Sequence, residues 1–280
     1  MTAFPKSVHC LKTFLIILVC LNLAVAQTVE KVVELPVQVY ETSGLEYFEG
    51  NFLTHNDSGG KPILYLFSET GELLENYLIP NVKNKDWEDL TRDEDLFYIS
   101  DTGNNNGSRK KLKILMVDPK KNFDLVGEIK INYKNQKNFE KRKKHPYDVE
   151  AIAALPKSLV LFSKNRMTFT TELYFIPKKE GSYSLKPKRS LPVNSLITGA
   201  DYNERLKLFA LVAYNKEGEQ FIYTLPNFNS KKLEELQFIK HKIPVDRAQI
   251  EAIKIIDQNT FWVTSEAKGK NSSRLFKIKI

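Results

Sequence analysis

Residues 148–152 read DVEAI, residues 249–253 read QIEAI and residues 86–90 read DWEDL. Each sets a glutamate (Glu150, Glu251 or Glu88) ahead of a small or acidic residue and then an aliphatic one, at the start of a strand-like run. Ser43 in SGLEY and Thr198 in TGADY open two further runs of the same kind. Three carboxylates and two hydroxyls gathered at one point would form a hard oxygen set with no histidine or cysteine. Such a set suits calcium better than magnesium, which demands a stricter octahedron. Three converging carboxylates cannot all stay ionised unaided. Either a cation sits among them, or they form a water-filled ring hydrogen-bonded to backbone amides. Ser43, Glu88, Glu150, Thr198 and Glu251 are therefore the candidate metal ligands, and Ca2+ is the expected cofactor.

The segments that follow the second strand of each repeat are polar: THNDSGG, SDTGNNNGSR, SKNR, YNKEG and SEAKGK. Asn, Asp and Gly are ordinary turn residues, because they tolerate positive φ. The basic residues are less ordinary there. Arg109, Lys164, Arg166, Lys268 and Lys270 would rim an acidic centre with positive charge and, with Asn56 and Asn104, cradle phosphate or carboxylate oxygens. Asp57 and Asp101, read as following the second strand at matching positions, are the candidate bases for activating water.

The elements that must position these residues are short strands. Runs such as NFLTH, ILYLF, LKILMV, LVLFS, LFALVAY and FWVTS are separated by Gly, Asn, Asp and Ser clusters, and long helical patterns are scarce. The five motif starts recur at blade-like intervals, the longest of which, Glu88 to Glu150, holds a basic loop. Each start is preceded by a proline (Pro36, Pro80, Pro146, Pro192, Pro244), where a sheet ends and the chain crosses to the next. The third repeat parses as VEAIAAL, LVLFS, ELYFI and YSLKPKR. The last repeat has three strands, and VEKVVEL near the start of the chain supplies the fourth. The prediction is an all-β, five-bladed β-propeller closed by its N-terminal strand. A sixth motif is absent, which disfavours six blades. In such a ring the first strand of every blade lines the channel, and its start shares one face with the turn after the second strand.

Residues 1–26 read as a signal peptide: Lys6 and Lys12, an apolar run from Phe14 to Val25, and Ala24-Val25-Ala26 before Gln27. The propeller would then span residues 27–280. The two cysteines, Cys10 and Cys20, fall in the leader, which leaves no disulfide framework and no thiolate chemistry. The net charge of +8 is mild for 280 residues and gathers in KNQKNFEKRKK, residues 134–144. Without interleaved aromatics this reads as a solvated loop and argues against nucleic acid. The expectation is a secreted monomer, extracellular or periplasmic, free of the membrane after cleavage.

The set SGL, NDSG, DWEDL, SDTGNN, DVEAI, TGADY and IEAI resembles a group of secreted bacterial propellers allied to the SdiA-regulated and NHL-like propellers, over nearly the whole mature chain. The order Ser, Glu, Glu, Thr, Glu also resembles the calcium-activated nucleotidases (apyrases). These are five-bladed propellers whose channel calcium is held by Ser, Glu, Glu, Ser and Glu. That resemblance implies a calcium shell of Ser43, Glu88, Glu150, Thr198 and Glu251, with Thr198 in place of serine. The reading reached here is a secreted calcium-binding propeller that hydrolyses a phosphate-bearing small molecule such as a nucleotide. The alternatives are a noncatalytic propeller binding a glycan, peptide or protein, and a lactonase-like hydrolase.

Overall fold

The computed structural model describes residues 27–245, 248–269 and 271–280. The expected leader lies outside them. No helix among the described residues is long and apolar enough to cross a membrane.

The described chain opens with β1 (Thr28–Glu34) and then builds five blades. Blade 1 is β2 (Thr42–Phe48), β3 (Asn51–Asn56), β4 (Ile63–Phe67) and β5 (Leu73–Leu78). Blade 2 is β6 (Leu90–Arg92), β7 (Phe97–Asp101), β8 (Leu112–Asp118) and β9 (Asp124–Tyr133). Blade 3 begins with β10 (Val149–Ala154), β11 (Ser158–Ser163) and β12 (Thr171–Pro177). The segment expected as its fourth strand behaves differently. Residues Gly181–Leu185 form β13, which pairs parallel with β9 and becomes a fifth strand of blade 2, while β14 (Arg189–Leu191) closes blade 3. Pro187 lies between the two, and a proline cannot donate within a ladder, so the run splits there. Blade 4 is β15 (Leu196–Asn203), β16 (Leu208–Tyr214), β17 (Gln220–Leu225) and β18 (Ile239–Lys242). Blade 5 is β19 (Ile250–Ile255), β20 (Thr260–Ser265) and β21 (Arg274–Lys279), completed by β1 antiparallel to β21. This closure removes the open edge that would otherwise invite pairing with another chain. All five crossover prolines lie between blades, as expected.

The second and third strands are apolar on both faces because each blade is sandwiched between two others; β16 and β20 are buried almost throughout. The outermost strands alternate instead, as in β1. Five apolar clusters result, one at each interface between neighbouring blades. Aromatic pairs stitch them: Phe52 of blade 1 meets Trp262 of blade 5 edge-on at 5.3 Å, and Phe162 of blade 3 meets Phe209 of blade 4 at 5.6 Å. The five innermost strands touch one another in the order β2, β6, β10, β15, β19 and back to β2.

Asp89 pins this inner ring. Its carboxylate accepts N–H bonds from Leu90 at 2.8 Å, from Ile152 of blade 3 at 2.8 Å and from Ala200 of blade 4 at 3.2 Å. The equivalent positions on the other blades are Gly44, Ala151, Gly199 and Ala252, small enough to let one side chain cross the channel. Gly44 sits at φ 71°, and a Cβ there would fall 2.4 Å from the Leu90 nitrogen. Asp89→Ala should orphan three buried donors at about 1–3 kcal/mol each. Denaturant melts are expected to show a loss of about 3 kcal/mol. A loss under about 1 kcal/mol would mean that the pin is dispensable.

Candidate metal centre at the channel mouth

The repeated motif is the signature of a β-bulge. Pairing slips between Val149 and Ala151, between Ile197 and Gly199, and between Ile250 and Ala252, which leaves Glu150, Thr198 and Glu251 out of the ladder. Blade 1 slips between Ser43 and Glu46. In blade 2 regular pairing begins only at Leu90, and the Glu88 N–H and the Asp89 carbonyl both bond to Ser100 at 2.9 Å. A bulge sets two residues against one and re-aims a side chain, which is how Glu150, Thr198 and Glu251 reach the mouth, whereas Ser43 stays paired with His55 and Glu88 stands ahead of its strand. All five are buried.

The two hydroxyls tie adjacent blades together. Ser43 Oγ donates to the Glu88 carbonyl, and Thr198 Oγ1 donates to the Ile250 carbonyl at 2.8 Å. The glutamates have different surroundings. Glu150 accepts from Lys164 Nζ at 2.7 Å and from Arg166 at 3.2 Å, so its charge is balanced inside the protein. Arg166 also pairs with Asp148 and bonds Asn105 at 2.5 Å. Glu251 accepts from the Gln249 amide at 2.6 Å; burial lifts its pKa to about 7, against the pull of Lys164.

Glu88 has no such partner. Its Oε1 is buried without a hydrogen bond, and so is Asp57 Oδ1. One oxygen each from Asp57, Asp86 and Glu88 lies within 4.8 Å of the others. Gly103 makes the room: a Cβ there would fall 1.9 Å from Glu88 Oε1 and 2.5 Å from Asp86 Oδ2. Burial is the first cause that raises all three carboxyls. Asp57 rises to about 9 with Asp86 and Glu150 adding to it, and Asp86 rises to about 6 despite Arg109. Glu88 is pushed well above the carboxylate range, with Glu150, Asp57 and Asp86 repelling its charge. Glu266, at the end of blade 5's second strand, rises to about 8 through burial and Glu251.

Register separates the two candidate bases. Leu53 pairs with Glu46, and Tyr98 pairs with Thr91, its equivalent, so Asp57 corresponds to Thr102 and Asp101 to Asn56. One residue along a strand is the opposite face. Asp57 joins the cluster, whereas Asp101 is buried in a 2.6 Å ion pair with Arg109. Arg109 also donates to the Gly103 carbonyl at 2.5 Å and stands 3.7 Å from Asp86. Asn56 bonds the Gln38 carbonyl at 2.8 Å, and Asn104 bonds the Tyr147 carbonyl at 2.7 Å, so both amides brace backbone. Lys268 is exposed and bridges to Asn271. Lys270 falls outside the described residues.

Asp86, Asp148 and Glu266 were not singled out from the sequence. The first two stand two residues before Glu88 and Glu150, within the motifs themselves. Glu266 aligns with Asp57 and Lys164 once the strand registers are known.

Raised carboxyls carry a sign. The folded protein holds protons on Asp57, Asp86, Glu251 and Glu266 that the unfolded chain has lost, so without a cation stability is full below about pH 4 and declines as pH rises toward 9. Melts in chelator should show a lower Tm at pH 8 than at pH 5.5. A flat or rising profile would contradict the clustering.

No family model matches this chain, and no curated protein matches its sequence. Solved structures match in shape. The chain is similar to the PQQ-bound form of aldose sugar dehydrogenase from Streptomyces coelicolor, with a TM-score of 0.53 and 10% identity over 91% of this chain and 98% of that one. It is similar to a glucose dehydrogenase, with a TM-score of 0.51 and 11% identity over 89% and 99% of the two chains. It is also similar to the exo-β-1,3-galactanase of Phanerochaete chrysosporium, with a TM-score of 0.54 and 9% identity over 90% and 64%. At such identities the likeness is one of fold alone, and fold does not carry activity. The chain is a β-propeller of five blades.

Proposed function

We propose that this chain is a divalent-cation-binding propeller, secreted by way of its N-terminal leader, and that the cation is calcium. The observation that carries the reading is the trio Asp57, Asp86 and Glu88, the first two half-buried and the third buried, with one oxygen of Asp57 and one of Glu88 enclosed and without a partner among the described residues. Orphaned buried acceptors are rare and costly, and a hard cation meets the need of all three groups at once. Oxygens bound to one calcium lie at most about 5 Å apart, and the 4.8 Å grouping falls inside that reach. The donors are all carboxylate oxygens, the chemistry calcium prefers. Glu150 and Glu251 already have protein partners and would add negative field.

The basic side chains bear on what the mouth does next. Lys164, Arg166 and Arg109 are each committed to carboxylates, so a free cationic cradle for a phosphate is not assembled from them. A noncatalytic role follows most directly: a cation that stiffens the ring and offers its remaining coordination positions to an oxygen-bearing ligand. Hydrolysis of a phosphate-bearing small molecule is the second reading. It rests on Asp57, the one candidate base left inside the cluster with an unpartnered oxygen. A bound cation would supply polarisation of a phosphoryl oxygen, and Asp57 would accept the proton of an attacking water.

Calcium at about 100 times its Kd should stabilise the protein by about 2.7 kcal/mol, raising Tm by roughly 5–10 °C. Glu88→Gln and Asp57→Asn should lose most of that shift. Glu88→Gln should also melt no lower than the wild type in chelator at pH 8, because it removes a carboxyl that folding must force into its neutral form. A variant that keeps the full calcium shift would overturn the assignment. Release of phosphate from a nucleotide panel, dependent on calcium and on Asp57, would favour hydrolysis over binding alone.

A further inference from the structure

The positive charge of this protein gathers on the flank of blade 2, beside the acidic mouth and joined to it through the Asp101–Arg109 pair. A groove of about 660 Å³ beside blade 2 is lined by Lys83, Lys85, Lys110, Lys111, Lys113 and Lys130. Its two acids are spent: Asp101 pairs with Arg109, and Glu128 pairs with Lys113. The other five lysines are exposed and make no ion pair among the described residues. Lys113 and Lys130 stand directly opposite each other on β8 and β9. Like charges in that relation destabilise a sheet; Glu128 answers Lys113, and Lys130 has no ion-pair partner among the described residues.

The basic loop at residues 134–144 is built onto the same flank. Gln136 donates to the Gly107 carbonyl at 2.7 Å, the Arg142 N–H donates to the Asn106 carbonyl at 2.8 Å, and Lys110 Nζ lies 5.2 Å from the Phe139 ring centroid. The loop is thereby fixed beside Lys110 and Lys111, with Lys137, Lys141, Lys143 and Lys144 exposed on it. Loop and groove form one continuous cationic surface.

We propose that this surface binds a linear anionic polysaccharide. The groove's lining holds no aromatic ring on which a base could stack and no arginine fork to read a phosphate, and its apolar members are Val82, Leu112 and Ile131; on the loop, Phe139 is half-buried against Lys110 and Arg142 donates to the Asn138 carbonyl. The lysines, Lys113 and Lys130 on neighbouring strands and the others on the segments flanking them, act as point charges suited to acid groups repeated along a chain. The proposal is independent of the cation centre.

The test is binding of the full mature chain to a sulfated glycan such as heparin and to polygalacturonate, in chelator so that the mouth plays no part. Oligodeoxythymidine and polyglutamate of matched charge serve as competitors. The charge-reversal variant Lys110→Glu/Lys111→Glu/Lys130→Glu is compared with Lys157→Glu/Lys231→Glu/Lys279→Glu, which changes net charge equally at exposed sites elsewhere. The groove variant should lose about tenfold or more in affinity, and the control less than about threefold, with both melting like the wild type. The tighter of the two glycans then identifies sulfate or carboxylate as the acid recognised. Equal losses in the two variants, no binding to either glycan, or binding to the oligonucleotide or polyglutamate at least as tight as to both glycans would overturn the proposal.

Discussion

Burying like-charged carboxylates together at the mouth of a channel is the constraint around which this protein is arranged. Five inner strands that converge on one axis bring their starts together, and the sequence puts glutamate at three of them. Repulsion and desolvation then have to be met locally. Blade 3 meets them with Lys164 and Arg166 against Glu150 and Asp148, and blade 5 uses the amide of Gln249 for Glu251. The side between blades 1 and 2 is left with Arg109 at 3.7 Å from Asp86 and nothing on Glu88 Oε1. The uneven sharing of positive charge is what singles out one sector of a ring that looks nearly symmetric in sequence.

The bulge links that sector to the fold. In blades 3, 4 and 5 a bulge releases Glu150, Thr198 or Glu251 from the ladder and turns it to the mouth, while the small residue that follows lets the strands approach. Asp89 occupies the space made by Gly44, Ala151, Gly199 and Ala252, and ties blades 2, 3 and 4 at the level beneath the carboxylates. A further layer holds Lys254 between Glu46 at 2.8 Å and Asp201 at 2.9 Å. Below the mouth, Lys254 thus meets the carboxyls of Glu46 and Asp201, while that of Asp89 is met by backbone N–H groups alone.

Much of the architecture was legible because ring closure is a counting problem. The motif starts, the crossover prolines and the spare N-terminal strand VEKVVEL together specify five blades, and β1 pairs with β21 accordingly. The split of residues 181–191 into β13 and β14 was not legible, since a strand that leaves its own blade for a neighbour's outer edge gives no local signal. At the mouth, the motif residues were found by type and position. Asp101 was set beside Asp57 because both follow a second strand, yet a register difference of one turns Asp101 away to Arg109. The commitment of Lys164 to Glu150 also depends on cross-strand register, which an unaligned sequence does not fix.

An acidic mouth and a basic flank lie side by side at blade 2, joined through Asp101, Arg109 and Asp86, and the mouth carries the central claim. The decisive measurement is an anomalous difference map from crystals of the protein grown with calcium. The account predicts one peak within coordination distance, about 2.3–2.6 Å, of oxygens from Asp57, Asp86 and Glu88. A peak held by Glu150 and Glu251 but not by Asp57 and Asp86, or no peak at the mouth at saturating calcium, would contradict it.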